Sequence, residues 1–140
     1  KLFIFGIDKN KFRRLKDYYK KFNIIFLGRV KKDKLKKAYE KSLGMICLGY
    51  DETFCLNAIE ANACGLPVIT FGETVLKDII KNNYNGSIVK NYKSLSNKIL
   101  EFINNDQIKK KEYVNNSIQS SKKYHFNMIK KKWVKLFNTK

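Results

Sequence analysis

The sequence predicts an α/β domain in which a parallel sheet carries helices on both faces and is followed by C-terminal helices. Short apolar runs alternate along the chain with helix-length segments whose apolar residues recur every three or four positions. The apolar runs lack the in–out alternation of a strand with one solvated face, which indicates strands buried on both sides. Such strands are joined by helical crossovers and therefore run parallel.

The elements can be assigned in order along the chain. Strands are predicted at residues 2–6, 23–28, 45–48, 67–71 and 87–89. Helices are predicted over 11–21, from Asp33 as N-cap through Tyr39, over 57–64, over 75–81, and from Leu95 to the end. Asn85-Gly86 is predicted to form a turn. The last helix is expected to place Ile129, Trp133, Leu136 and Phe137 on one side.

The charge of the chain is large and uneven. Its 140 residues include 30 Lys and Arg against 12 Asp and Glu, for a net charge of +18. The excess lies in residues 1–40 and 81–140, while residues 41–80 carry 2 basic and 5 acidic side chains. A basic groove that follows a nucleic-acid backbone is therefore excluded from the middle of the chain. The lysine runs of the flanks are typical of solvated helix faces, with an anionic membrane surface as the alternative.

Several classes of protein are excluded by residue type and spacing. Cys47, Cys55 and Cys64 are odd in number and lack Cys-x-x-Cys spacing, so neither a disulfide framework nor a zinc site is predicted, and a reducing cytoplasmic setting is favoured. The apolar runs are shorter than the ~20 residues of a membrane span. Lys1 leads directly into a strand without an initiator Met or a signal pattern, which suggests a piece of a longer protein.

The loop after the third strand, residues 50–56, is the first candidate for a binding site. Ligands of open parallel sheets bind beyond the carboxyl ends of the strands. This loop opens into a helix whose N-terminal amides suit a phosphate group. The carboxylates of Glu52 and Glu60 can accept hydrogen bonds from hydroxyls. Because no dinucleotide fingerprint or Walker loop is present, phosphates flanked by polyols, as in a nucleotide sugar, fit best.

Structural interpretations of the same residues remain open. Asn57 and Glu60 have the spacing of a capping box, which would make Glu60 a helix-end residue. Glu52 could be a solvated loop acid. Cys55 and Cys64 are read as packing residues and the lone His125 as a structural histidine.

Residues 52–69, Glu-Thr-Phe-Cys-Leu-Asn-Ala-Ile-Glu-Ala-Asn-Ala-Cys-Gly-Leu-Pro-Val-Ile, resemble a family signature. It is that of the GT-B-type retaining glycosyltransferases of glycosyltransferase family 4, also called glycosyl transferases group 1. In that family two glutamates separated by seven residues precede Ala-x-Ala-x-Gly-x-Pro-Val-Ile in the donor-binding lobe. The similarity extends from residues 26–30 to residues 78–89 and the final aromatic helix. It implies the Rossmann-like C-terminal lobe of a GT-B fold over nearly the whole chain.

The resemblance implies a role for each matching position. Glu60 would hold the ribose hydroxyls, and Glu52 would face the donor hexose and stabilise the transition state. Sugar and diphosphate would lie against the amides of Phe54, Cys55, Leu56 and Asn57, and the base near Arg29 and Val30. No metal or other cofactor is expected, because the helix dipole and basic side chains offset the diphosphate charge. Thr53, Cys55, Thr74 and Val75 stand where the family commonly has Gly, and β-branched residues would be strained if those positions required positive φ.

Two functions from different classes are therefore carried forward. In the favoured one, residues 1–140 form a single donor-binding domain of a two-lobe enzyme whose N-terminal acceptor lobe and first strand of this lobe are missing, so the fragment alone is expected to be inactive. The full protein would transfer a hexose from a UDP- or GDP-sugar to a bacterial surface glycan or lipid-linked saccharide. It would be cytoplasmic, with possible peripheral binding to the inner membrane face and no nucleic acid as partner. The alternative is a basic non-catalytic module that binds nucleic acid or an anionic membrane surface.

Overall fold

A computed structural model of the chain describes residues 1–6, 13, 19, 21–49, 53–72 and 75–138. These residues form two compact units, Lys1–Lys37 and Ala38–Lys140, each of which is described by itself. The predicted helix over 11–21 lies mostly outside the described residues, as do Glu52 and Thr74.

Strands and helices alternate, which confirms the predicted α/β class. The strands are β1 (Leu2–Phe5), β2 (Ile24–Gly28), β3 (Met45–Ile46), β4 (Val68–Phe71) and β5 (Gly86–Val89). The helices are α1 (Lys32–Glu40), α2 (Leu56–Ala63), α3 (Tyr92–Asn104), α4 (Gln107–Ser121) and α5 (Phe126–Phe137), with 3₁₀ turns at Val75–Asp78 and Lys122–Tyr124.

The first unit contains the parallel pair β1 and β2, with Leu2 opposite Ile24. Gly28 ends β2 with φ at +62°, a left-handed conformation that glycine adopts without strain. Leu2 and Phe3 are each 42% exposed, so the prediction that this first strand is buried is wrong within the described residues. The reason is that β1 has one strand neighbour, β2, in this part of the chain.

The second unit is built on a parallel sheet in the order β3-β4-β5. The central strand β4 is buried along its whole length. Helices α3 and α4 cover this sheet with Leu95, Phe102 and Tyr113, and the last two rings lie 4.8 Å apart. Apolar burial is the main favourable term in folding, and among the described residues the buried apolar side chains belong to the second unit.

Gly65 is the glycine of the signature, and its backbone conformation explains why glycine stands there. The backbone N–H of Gly65 donates to the carbonyl of Asn62, and that of Leu66 donates to the carbonyl of Ala61, both at 2.9 Å. These two hydrogen bonds form a Schellman motif, in which a residue just after the helix adopts the left-handed conformation. Gly65 has φ at +78°, and an added Cβ would lie 2.9 Å from the Val114 side chain. The helix therefore stops here and the chain turns into β4.

Several elements differ from the predicted ones: the helix expected over 75–81 is a 3₁₀ turn over Val75–Asp78, and the helical region expected from Leu95 is divided into α3, α4 and α5. α1 begins at Lys32, so Asp33 is in its first turn and is not the N-cap. The turn covers residues 83–85, and Gly86 opens β5 opposite Val68. An added Cβ at Gly86 would lie 2.0 Å from the Val68 carbonyl oxygen. α3 begins three residues before Leu95, since Asn91 and Ser94 form a capping box.

Helix α5 exposes its apolar side in the described chain. Trp133 is 55% and Phe137 71% exposed, and the two rings stack at 5.8 Å. His125 caps this helix, its Nδ1 accepting the Asn127 N–H at 3.3 Å, which agrees with the structural interpretation of the lone histidine. None of the described helices is long and apolar enough to cross a bilayer.

Candidate functional site: the N-terminal turn of helix α2

The first turn of α2 is open to solvent. Its N-cap is Cys55, which is 2% exposed and makes no capping hydrogen bond with its side chain. Phe54 and Leu56, on either side, are 49% and 61% exposed. The first amides of a helix lack partners within the helix and carry the positive end of its dipole. Because the Cys55 side chain does not cap them, these amides can receive an anionic group.

Glu60 lies on the exposed face of the same helix. Ala58, Ala61 and Asn62 form the opposite, buried face, and α2 packs with it against β4 and α4. Leu56 and Glu60 are four residues apart and therefore lie one above the other on the outer face. The capping-box interpretation of Asn57 and Glu60 is wrong, since Asn57 is the second helical residue and Cys55 holds the N-cap position. The carboxylate of Glu60 is thus not used as a cap.

A buried pair of amides fixes α2 to the rest of the unit. The Asn85 Nδ2 donates to the Asn62 Oδ1 at 2.7 Å and to the Ile79 carbonyl at 3.1 Å, and the Asn85 Oδ1 accepts the Lys81 N–H at 2.6 Å. The Asn62 Nδ2 donates in turn to the carbonyls of Leu66 and Asn85. Both side chains are 1% exposed or less, so each depends on the other for its hydrogen bonds. This network holds the helix that carries Glu60.

Tyr39 is a buried phenol close enough to Glu60 for its pKa to be affected by that carboxylate. It is 9% exposed, and burial, followed by the negative charge of Glu60, raises the pKa of its phenol to about 12. The three thiols contribute smaller effects in the same direction. Tyr39 is therefore a neutral phenol near Glu60 at any physiological pH. The sequence places it in the apolar stripe of α1 and gives no signal that it lies near Glu60.

Cys47 and Cys55 are brought together by the passage from β3 to α2. Their Sγ atoms lie 3.4 Å apart, and none of the three cysteines forms a disulfide. The buried Cys55 agrees with its interpretation as a packing residue, whereas Cys64 is half-buried.

Arg29 and Val30 belong to the first unit, where they follow β2. Together with Phe5, Leu27, Lys31 and Lys34 they line a surface pocket of about 490 Å³. Its two lysines and one arginine give it positive charge. The residues predicted to contact the base thus line a pocket of their own unit.

The structure brings together most of the predicted donor residues of the second unit. Phe54, Cys55, Leu56 and Asn57 form the start of α2, one turn before Glu60. Cys55, one of the positions where the family commonly has Gly, has φ at −74° and so lies outside the left-handed region. In the described ranges no three His, Cys, Asp or Glu side chains cluster as metal ligands would.

Comparison with known proteins places these features in a family. The profile of the family described as Glycosyl transferases group 1 matches residues 1–120. An uncharacterized glycosyltransferase of Methanocaldococcus jannaschii is 31% identical over 108 residues, which cover 74% of this chain and 31% of that protein. The Campylobacter jejuni enzyme GalNAc-alpha-(1->4)-GalNAc-alpha-(1->3)-diNAcBac-PP-undecaprenol alpha-1,4-N-acetyl-D-galactosaminyltransferase is 31% identical over 115 residues, 79% of this chain and 31% of its own length.

A solved glycosyltransferase structure has the same fold as this chain. TarM of S. aureus, in a complex with UDP among other ligands, superposes with a TM-score of 0.81 at 26% identity over 99% of this chain and 29% of TarM. The fold is that of the C-terminal domain of GT-B glycosyltransferases. The chain spans about a third of the length of these relatives. It belongs to the Glycosyl transferases group 1 family.

Proposed function

We propose that this chain is the donor-binding half of a retaining glycosyltransferase of family 4 that takes a hexose from a nucleoside-diphosphate sugar. The observation that carries the proposal is the open first turn of α2 with Glu60 on the same exposed face. A helix N-terminus without a side-chain cap suits a diphosphate, and a carboxylate one turn further on suits ribose hydroxyls. Both features lie on the exposed side of one helix, about one turn apart.

In this proposal each group acts on a different part of the donor. The amides of residues 54–57 bind the diphosphate and stabilise the charge that it gains when its bond to the anomeric carbon breaks. The acceptor hydroxyl oxygen bonds to that carbon with the original configuration retained, and its proton passes to the departing diphosphate. Glu60 orients the ribose, and Glu52, which lies outside the described residues, stabilises the transition state at the hexose. Since the helix dipole offsets the anionic charge, donor binding is expected to survive chelation of divalent metals.

The test of donor binding is thermal unfolding of the chain with UDP, GDP and ADP. A ligand that binds only the folded state raises the midpoint temperature, so weak binding is visible at millimolar nucleotide. We expect one nucleotide to raise it in 0.5 M salt and in the presence of EDTA. Glu60→Gln should abolish the shift, while the matched control Glu112→Gln, which removes a surface ion pair with Lys109, should keep it. Equal shifts for all three nucleotides that vanish with salt would instead indicate polyanion binding to lysines, the alternative function.

The acceptor is proposed to be a lipid-linked saccharide at the inner membrane face. Two observations support this: the Campylobacter jejuni relative is named for an undecaprenol-linked substrate, and α5 combines exposed aromatic residues with Lys130, Lys131, Lys132 and Lys135. Residues 113–140 contain no Asp or Glu. A basic helix with an exposed aromatic face binds at the interface of anionic bilayers.

Trp133 reports directly on this membrane proposal because it is the single tryptophan of the chain. Vesicles of phosphatidylglycerol should shift its fluorescence to shorter wavelength, and vesicles of phosphatidylcholine should not. Lys131→Glu with Lys132→Glu should weaken the shift, while Lys36→Glu with Lys37→Glu, an equal change of charge on α1, should leave it. An unchanged emission with both kinds of vesicle would contradict a membrane role for α5.

A further inference from the structure

Cys47 and Cys55 form a thiol pair beside the candidate donor site. Their Sγ atoms are 3.4 Å apart, although the residues are eight positions apart in the sequence. Cys47 continues β3, since its N–H donates to the Ile69 carbonyl at 2.9 Å. Cys55 occupies the N-cap position of α2. We propose that this pair is an oxidation site that closes reversibly to a Cys47–Cys55 disulfide.

The geometry requires a small change to close the bond. A disulfide has an S–S length of about 2.05 Å, so the two sulfurs must approach by about 1.35 Å. The backbone of Cys47 is held in the sheet by its bond to β4, whereas Cys55 precedes the helix at the end of a loop. The movement therefore falls on the side of Cys55.

Hydrogen peroxide is the oxidant in the balanced reaction. Cys47 is the more exposed thiol, so its sulfur attacks the peroxide first and becomes a sulfenic acid with release of one water. The Cys55 sulfur then attacks the Cys47 sulfur and displaces a second water. In total the thiols lose two hydrogen atoms and the peroxide becomes two waters. A small dithiol reverses the reaction by thiol–disulfide exchange.

A consequence for donor binding rests on the proposed function. Cys55 contributes both its thiol to this pair and its backbone to the first turn of α2. A disulfide would tie that turn to β3 and displace the amides assigned to the diphosphate. Oxidation is therefore expected to reduce the nucleotide-induced thermal shift.

The test is a disulfide map of the native chain after treatment with hydrogen peroxide. Residues 42–77 contain no internal Lys or Arg, so trypsin leaves all three cysteines in one peptide. A glutamate-specific protease then cuts after Glu52 and Glu60 and separates the three cysteines. We expect peptide 42–52 joined to peptide 53–60, with a mass lower than the sum of the two by two hydrogen atoms. Dithiothreitol should release them.

Two variants and one condition decide the result. Cys64→Ala should keep the link and Cys47→Ala should lose it, while oxidation in urea should give mixed pairings of the three cysteines. Links to Cys64 in the native chain, or thiols that oxidise only singly, would overturn the proposal. The nucleotide shift is read on the same samples. A mapped disulfide with no nucleotide shift in either redox state would support the oxidation site and contradict donor binding.

Discussion

Replacement of Asn85 by alanine tests the buried amide pair most directly. The change removes three hydrogen bonds: to the Asn62 side chain, to the Ile79 carbonyl and from the Lys81 N–H. A buried polar group left without a partner costs about 1–3 kcal/mol. In the variant the Asn62 Oδ1 would stay buried and would lose its donor from Asn85, whereas the Lys81 N–H belongs to an exposed residue. We therefore expect a loss of about 3 kcal/mol in the free energy of unfolding.

Asn82→Ala is the matched control for this variant. The Asn82 Oδ1 accepts one hydrogen bond, from the Ile88 N–H at 3.0 Å, and the residue is exposed, so water can replace the lost acceptor. Urea unfolding of both variants, followed by circular dichroism, gives the two free energies by linear extrapolation. Asn82→Ala should cost less than about 1 kcal/mol. Equal losses in the two variants would refute the reasoning that burial makes the Asn62–Asn85 pair costly to break.

Three further predictions concern other elements. Gly86→Ala should destabilise the chain by about 3 kcal/mol, because its Cβ would lie 2.0 Å from the Val68 oxygen. The control Gly72→Ala places a Cβ 3.2 Å from a flexible Ile88 side-chain carbon, so thermal melts should show a smaller loss of stability. Tyr39 keeps its proton in the folded state up to pH about 12, while the unfolded chain releases it near pH 10. The free energy of unfolding should therefore fall as the pH rises from about 10 to about 12. In urea titrations Tyr39→Phe should lose about 2–3 kcal/mol less over this range than the unchanged chain does. Asp106→Ala removes the acceptor of the Lys109 N–H and should cost about 1 kcal/mol, whereas an unchanged melting temperature would contradict its capping role.

The fold was largely predictable because the apolar runs have the length and composition of buried parallel strands. Val68, Ile69 and Phe71 of β4 read as apolar strand positions, and they are buried together with Thr70. The boundaries were harder, because a helix start depends on which side chain reaches a free amide. Asn91 and Ser94 do so and extend α3 beyond its apolar stripe, while Asp33 does not set the start of α1.

The candidate site was predictable only where its residues are consecutive on one helix. Leu56, Asn57 and Glu60 lie on α2 and are related by the helical period, while Phe54 and Cys55 directly precede the helix. Tyr39 and the Cys47–Cys55 pair come together through the packing of α1, β3 and α2, which no local pattern encodes. Asn62 was visible as a polar residue within the signature, but its partner Asn85 is 23 positions away.

The Schellman motif at the end of α2 shows that some positions of the family signature serve the fold and not the binding of a ligand. Ala58 and Ala61 are small because that face of the helix is completely buried, and Gly65 reverses the chain with a conformation that other residues resist. These positions would remain under the same steric constraint in a descendant that had lost both glutamates and bound no sugar. Such a pseudoenzyme would superpose on its active relatives equally well. Under the proposed function, the two carboxylates therefore distinguish an active member from such a relative, whereas backbone likeness does not.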